Sequence, residues 1–298
     1  PSIDLPRGFN VDNAARIRKE TGMLTIAVGR INDPQQADDI ISSGKADMVV
    51  MGRAQIADPD FCNKAASGNV DDIIRCIACN QGCVDRYNNK TEYPHISCMR
   101  NPSVGREKEY KLIPTKEPKK VLIAGGGMAG MEAAITLKQR GHEPILCERS
   151  SELGGQFLMA GLAPRKKEMR DAAISRAQQT IKVGVDVRMN TEVDADLIKK
   201  ISPDAVIIAT GAKAAVFDIP GIDKPNVYSA YDVLSDRVDV HGDVIVVGGG
   251  LVGLEVAEYL AERKNNVTVI EALEGIGRDL GMFRKICVME SLYCYNIA

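Results

Sequence analysis

Tryptophan is absent from the chain, and phenylalanine occurs only 5 times among 298 residues. The cores therefore have to be built from Val, Ile, Leu, Ala and Met. Excess charge is missing too. The formal net charge is −2 at pH 7, which excludes the basic balance that draws a protein to nucleic acid or to an anionic membrane. No apolar run approaches the ~20 residues that cross a bilayer, and no secretory leader is recognised at the start. Histidine is scarce: His95, His142 and His241 each read as loop or element-boundary positions rather than catalytic ones. Against these absences stand 8 cysteines, which without a leader point to a reducing cytoplasm. The remaining composition is that of an ordinary globular protein with material for two or three domains. The chain opens on Pro1 and stops at Ala298 part-way through its last recognisable unit, so it is expected to be a piece of a longer protein.

Four of the cysteines organise the chain. Cys76-Ile77-Ala78-Cys79-Asn80-Gln81-Gly82-Cys83 is followed, across a polar loop, by Cys98. Structural zinc and iron–sulfur clusters both accept four thiolates. Zinc ligands usually come as two matched pairs, whereas this set is one compact triplet plus a distant single, which favours a cluster. Cys62, Cys147, Cys287 and Cys294 have no partners at ligand spacing, and Cys147 reads as a core residue of a strand.

Before the cysteines the pattern is helix, strand, helix, strand. A helix is expected over 13–20 and ends at Gly22; a second starts at Pro34 and stops at Gly44. Strands are expected over 24–28 and 47–51, apolar without alternation and so buried in a parallel sheet. Each strand ends in the same pair, Gly29-Arg30 and Gly52-Arg53. In a β/α barrel the last two strands commonly build a phosphate site. Glycine allows backbone N–H groups to approach an anion and arginine offers a planar fork of donors; turn glycines with surface arginines are the simpler alternative. Residues 71–75 read as a helical lead-in to the cysteines, and 116–120 as a charged linker.

After the linker one unit is written twice. Val121–Ala124 runs into Gly125-Gly126-Gly127-Met128-Ala129-Gly130, a helix over 131–139, and a strand ending in Glu148. Val244–Val247 runs into Gly248-Gly249-Gly250-Leu251-Val252-Gly253, a helix over 254–263, and a strand ending in Glu271. The acid follows the first glycine by 23 positions in both. Each is a dinucleotide fingerprint in the right context: glycines for the turn and the approach of the pyrophosphate, a helix N-terminus beneath it, and an acid for the ribose hydroxyls. A strand is expected over 205–212. The tail from Arg284 carries no motif.

The first unit, with Arg149, Gly155 and Gln156 in the loop after its acid, resembles the FAD-binding domains of two-dinucleotide flavoproteins, in which a nicotinamide domain follows. That assigns FAD to Gly125, Gly127, Gly130 and Glu148, and NADH or NADPH to Gly248, Gly250, Gly253 and Glu271; the Glu271 carboxylate favours NADH. Taken in order, the two Gly-Arg turns, the cysteine set and the two fingerprints resemble the C-terminal part of the old-yellow-enzyme-related NADH:flavin oxidoreductases that carry an iron–sulfur cluster, the group of 2,4-dienoyl-CoA reductase, 2-enoate reductase, trimethylamine dehydrogenase and the bile-acid-inducible oxidoreductases. The resemblance implies an α/β chain: the C-terminal end of a (β/α)8 barrel (1–68), a Cys-rich cluster segment with linker (69–118), and Rossmann-like domains for FAD (119–240) and NAD(P)H (241–298). It implies that Gly29, Arg30, Gly52 and Arg53 hold the FMN phosphate and that Cys76, Cys79, Cys83 and Cys98 hold a 4Fe–4S cluster. The implied activity moves electrons from NAD(P)H through FAD and the cluster to FMN, reducing the C=C bond of an α,β-unsaturated carbonyl. The implied partner is that small substrate, with no nucleic acid and no membrane, and with homo-oligomerisation left open. No residue is assigned as catalytic acid. Rival readings are an electron-transfer module serving a separate protein and an inactive truncated fragment.

Overall fold

The structure is a computed structural model that describes residues 2–88, 95–215 and 218–298. The middle of the polar loop between Cys83 and Cys98 lies outside the described residues. The chain forms two units: Pro1–Lys111 with Leu280–Glu290, and Leu112–Asp279 with Ser291–Ala298.

The first unit starts with α1 (Val11–Thr21), β1 (Ile26–Ala27), α2 (Pro34–Ser42) and β2 (Met48–Val49). Gly22 ends α1 with φ of 69°, and its N–H donates to the Arg18 carbonyl. Asp33 caps α2 by accepting from Gln35 and Gln36 N–H, with Pro34 in the first turn, where its missing N–H costs nothing. β1 and β2 pair in parallel, Ile26 opposite Met48. Val11, Ala27, Ile31, Ile40 and Ala46 make the core between these helices and strands. The expectation of two buried five-residue strands is corrected here. Each strand is regular over two residues, and only one face is buried: Ala27 is 0% exposed, Ile26 54% and Met48 55%. Alternation is missing because both faces are apolar, while among the described residues only the face under α1 and α2 is covered.

Two short helices follow, α3 (Gly52–Ala57) and α4 (Phe61–Ala66), packed over Ala54, Phe61 and Ile73. The helix expected over 71–75 is also corrected. It is a single 3-10 turn, Val70–Asp72, followed by extended chain. The buried Asp58 carboxylate accepts from Ile74 N–H at 2.8 Å and from Lys64 Nζ at 2.7 Å, taking the N–H that a helix would have used. A π-turn, Gln81–Asp85, then leads into α5 (Arg86–Asn88). Near the end of the chain the tail forms α12 (Met282–Cys294), and within this unit Arg284 makes a buried ion pair with Asp4.

The second unit holds two parallel sheets. The first has the order β5 (Asp186–Arg188), β4 (Glu143–Cys147), β3 (Lys120–Ala124), β6 (Ala205–Ile208); the second pairs β7 (Asp243–Val247) with β8 (Asn266–Ile270). The intervening helices are α6 (Met128–Gln139), α7 (Gln156–Ala160), α8 (Lys167–Lys182), α9 (Ala195–Ile201), α10 (Ala230–Leu234) and α11 (Leu251–Glu262). One face of the four-stranded sheet packs Val121, Ile123 and Leu146 on Met131 and Ala134 of α6; the other packs Leu122, Ile145 and Cys147 against α9. Covering on both faces explains the unbroken apolar runs of β3 and β4. Three boundaries move. Helices α6 and α11 begin three residues before the expected starts, because the third glycine of each fingerprint lies inside the first turn. The strand expected over 205–212 ends at Ile208. Residues 157–204 carry no clear apolar period, because the buried side of α8 includes Arg176, Gln179 and Thr180. No helix among the described residues is long and apolar enough to cross a membrane.

Candidate functional site

Cys76, Cys79, Cys83 and Cys98 line one cavity in the first unit, with Arg53, Asn80 and Arg100 also in its wall. Local backbone geometry turns the sulfurs together. Ala78 and Asn80 are left-handed, with φ of 49° and 64°, and the π-turn carries Cys83. Asn32, just after the first Gly-Arg turn, donates from Nδ2 to the Cys76 carbonyl at 2.6 Å and ties the loop to the end of β1. Gly82 lies against Ser97, whose N–H donates to the Gly82 carbonyl at 2.7 Å. A Cβ at Gly82 would strike the Ser97 carbonyl, so this glycine is what lets the segment bearing Cys98 close onto the triplet.

Two of the sulfurs accept from a backbone N–H: Ala78 N–H donates to Cys76 Sγ at 3.3 Å and Arg100 N–H to Cys98 Sγ at 3.4 Å. Burial nevertheless pushes the Cys76 and Cys83 thiols up and the Cys79 thiol to about 12. Thiolates here need a strong positive charge nearby, which a bound metal centre supplies. Among the described residues the donor set is all sulfur, with neither carboxylate nor imidazole lining the cavity. Among the described residues no group of three or more Cys, His, Asp and Glu is placed to hold a single metal ion. Such a set, with N–H groups aimed at the sulfurs, suits an iron–sulfur centre. His95 packs on Gly105 and is not in the cavity wall.

The two fingerprints share their local geometry. Gly125 and Gly248 have φ of 109° and 105°. Their N–H groups donate to the carbonyls ending the neighbouring strands, Cys147 and Ile270, both at 2.8 Å. A Cβ on Gly130 would strike the Gly125 carbonyl, and one on Gly253 the Gly248 carbonyl, so helix and loop approach at a distance only glycine permits. Gly127 and Gly250 stand at the N-caps of α6 and α11. The acids do more than await a ribose. Glu148 Oε2 accepts from Gly126 N–H at 2.6 Å and its Oε1 from Ser150 N–H at 2.9 Å. Glu271 repeats this with Gly249 N–H at 2.7 Å and Leu273 N–H at 2.8 Å. Burial by itself would raise the Glu148 carboxyl, but the Ser150 and Gly126 hydrogen bonds outweigh it and hold the group below the usual carboxylate range. Glu271 is held low by Leu273 and Gly249. A carboxylate has about four acceptor positions, so both can brace the loop and still face a ribose.

The loops after the acids differ where it matters. Gly154 N–H donates to the Gly126 carbonyl at 2.9 Å, and Gly277 N–H to the Gly249 carbonyl at 2.7 Å. Beyond them, Gly155 lies over Gly127 and Gln156 donates from its amide to the Ala212 carbonyl at 2.7 Å; Arg149 is exposed. In the second repeat Asp279 accepts from Leu251 N–H with both oxygens, at 3.0 and 2.9 Å. It sits at the N-terminus of α11, where the pyrophosphate of a dinucleotide belongs.

A family model described as pyridine nucleotide-disulphide oxidoreductase matches residues 119–292, and one described as NADH:flavin oxidoreductase / NADH oxidase family matches residues 7–72. The chain belongs to the NADH:flavin oxidoreductases of the 2,4-dienoyl-CoA reductase type. Among relatives of this oxidoreductase family, it is 40% identical to an NADH oxidase of Thermoanaerobacter brockii over 95% of this chain and 44% of that protein. It is 40% identical to a cinnamate reductase of Clostridium sporogenes over 91% of this chain and 40% of that one. Among solved structures, a 2-naphthoyl-CoA reductase matches with a TM-score of 0.92 and 32% identity, over 99% of this chain and 45% of its own. The chain thus spans less than half the length of these family members.

The two Gly-Arg turns have different surroundings. Gly29 is left-handed with φ of 131°, and Arg30 is buried with Nη1 donating to the Ile3 carbonyl at 3.1 Å and to that of Leu5. Gly52 and Arg53 open α3, and Arg53 Nη1 donates to Asn80 Oδ1 at 2.6 Å in the cysteine cavity wall. Sequence reasoning missed Asn32, Asn80, Gly82 and Asp279. The Asn-Gln-Gly run inside the cysteine motif was the available signal for two of them.

Proposed function

We propose that this chain is the electron-delivering part of an NAD(P)H-dependent flavin oxidoreductase that reduces the C=C bond of an α,β-unsaturated carbonyl, such as an enoate or enoyl-CoA. The observation that carries the reading is that four cysteines line one cavity, two of them with a backbone N–H donor to the sulfur, in a chain that also has two fingerprints. Relatives named cinnamate reductase and 2-naphthoyl-CoA reductase support the substrate class. When bound, the flavins supply exchange between two-electron and one-electron transfer, and a 4Fe–4S cluster supplies the one-electron relay between them.

The chain's own residues bind and orient. Cys76, Cys79, Cys83 and Cys98 would hold the cluster. The N-termini of α6 and α11 would take the pyrophosphates of FAD and NAD(P)H, with Glu148 and Glu271 bracing the loops and facing the ribose hydroxyls. Arg149, Gly155 and Gln156 would close over FAD. The Glu271 carboxylate, repelling an added phosphate, favours NADH. Gly29, Arg30, Gly52 and Arg53 would hold the FMN phosphate, the glycines letting backbone N–H groups approach it and the arginines offering donors. The corresponding division is barrel end 1–68, cluster segment and linker 69–118, FAD domain 119–240 and NAD(P)H domain 241–298, in a cytoplasmic protein.

The test is anaerobic purification of the full-length protein with cofactor extraction, followed by the Cys79→Ala variant. FMN and FAD should both be released, over a broad iron–sulfur absorbance. Cys79→Ala should leave FAD reduction by NADH intact and abolish reduction of FMN. Zinc in place of iron and labile sulfide, or enoate reduction surviving in Cys79→Ala, would overturn the reading.

A further inference from the structure

Four cysteines account for the sulfur-lined cavity but leave Asn80 in its wall unexplained. Asn80 is 1% exposed, and its backbone is left-handed with φ of 64°, a conformation that asparagine tolerates better than most residues. Its Oδ1 accepts from Arg53 Nη1 at 2.6 Å. Arginine can only donate, so this contact decides which way the amide points: oxygen toward Arg53, Nδ2 with its two hydrogens away from it. Nδ2 is buried and has no hydrogen-bond partner among the described residues. A buried donor without an acceptor is unfavourable and asks for one. The acceptors that the cavity is built to receive are sulfurs carrying negative charge.

We propose that Asn80 Nδ2 donates a hydrogen bond to a sulfur of the iron–sulfur centre, and that Arg53 is the positioning residue that aims it by holding Oδ1. This rests on the reading that Cys76, Cys79, Cys83 and Cys98 hold such a centre. Reduction adds negative charge to the centre, so a donor binds the reduced state more strongly than the oxidised one and raises the reduction potential. Arg53 thereby links the start of α3 to the electronic properties of the cysteine site, a role separate from any contact with a phosphate.

The test uses the full-length protein prepared without oxygen. Asn80→Gly keeps the left-handed backbone and deletes the donor; Asn80→Asp keeps the shape, removes the donor and adds negative charge. In a redox titration followed by electron paramagnetic resonance, Asn80→Gly is expected to lower the one-electron reduction constant about tenfold, a fall of ~59 mV, and Asn80→Asp to lower it further. Iron and sulfide content, measured in each variant, separates a shifted potential from a lost centre. As a second measurement, asparagine labelled with ¹⁵N in its side chain should give a nitrogen coupling in pulsed resonance spectra of the reduced centre. That coupling should vanish in whichever of the two variants assembles. An unchanged potential with full iron and sulfide, or a coupling that persists without Asn80, overturns the proposal while leaving the cysteine site intact. Zinc in the wild-type protein overturns the cysteine reading itself and the proposal with it.

Discussion

Glu148 shows how a single side chain can serve fold and site together. Its two oxygens take the N–H groups of Gly126 and Ser150, so the glycine loop is pinned before any ribose arrives. The folded carboxyl titrates below its ordinary value, as burial is outweighed by these bonds. A depressed acid adds stability that is present above its unfolded pKa and is lost as pH falls through the folded one. Replacing Glu148 with Gln is therefore expected to cost about 1.5–3 kcal/mol near neutral pH, the range for hydrogen bonds to a charged group. The cost should shrink as pH falls below the ordinary glutamate value of 4.5 and on through the lower folded value, where the wild type loses the same charge. Melting curves of both proteins from neutral to acid pH check this; a constant gap would show that the charge plays no part. At this scale the glycines and acids of the fingerprints were legible in the sequence, because each answers a local demand of the backbone. Asn80 and Gly82 were not, because their partners, Arg53 and Ser97, come from elsewhere in the chain.

The N-terminus of α11 is where the two repeats part company. In the first repeat the corresponding loop sends Gln156 to the Ala212 carbonyl; in the second, Asp279 lies on Leu251 N–H. An acid at a helix N-terminus stabilises the helix by about 0.3–1 kcal/mol at an exposed site. It also occupies the place a pyrophosphate needs. Asp279→Asn is thus expected to lower the melting temperature slightly and to tighten NADH binding by up to about fivefold, the equivalent of ~1 kcal/mol. Calorimetric titration with NADH measures it, and weaker binding in the variant would show that Asp279 assists the dinucleotide instead of competing with it. Helix and strand identities were legible at this scale from apolar period and from Gly22, Pro34 and the glycine loops. Their limits were not. The lead-in to the cysteines failed as a helix because the distant Asp58 takes the Ile74 N–H, and α8 escaped notice because its inner face holds Arg176, paired with Glu132.

Across the whole molecule the conspicuous feature is apolar sheet surface left open. Ile26 is 54% exposed and Met48 55% in the first unit; Ile208 is 79% and Ile245 63% in the second. Strands that are apolar on both faces belong in sheets covered on both sides. Residues 1–298 prepared alone are expected to self-associate with rising concentration and to bind an apolar dye, while still retaining FAD through the first fingerprint. Light scattering and flavin content check both; a monomer with no dye binding would mean that these faces are covered in a way the structure does not display.

The sequence by itself determined the class of the fold, the duplicated dinucleotide unit and the set of four cysteines, since these depend on glycine conformations, strand-to-helix spacing and residue types written in short local runs. Only the tertiary structure decided which groups stand beside those residues: that Arg53 turns to Asn80, that Arg30 turns to the carbonyls of Ile3 and Leu5, and that Asp279 sits on the helix meant for a phosphate. Those are meetings between distant segments, chosen by packing and by the need of buried polar atoms for partners, and no local pattern encodes them.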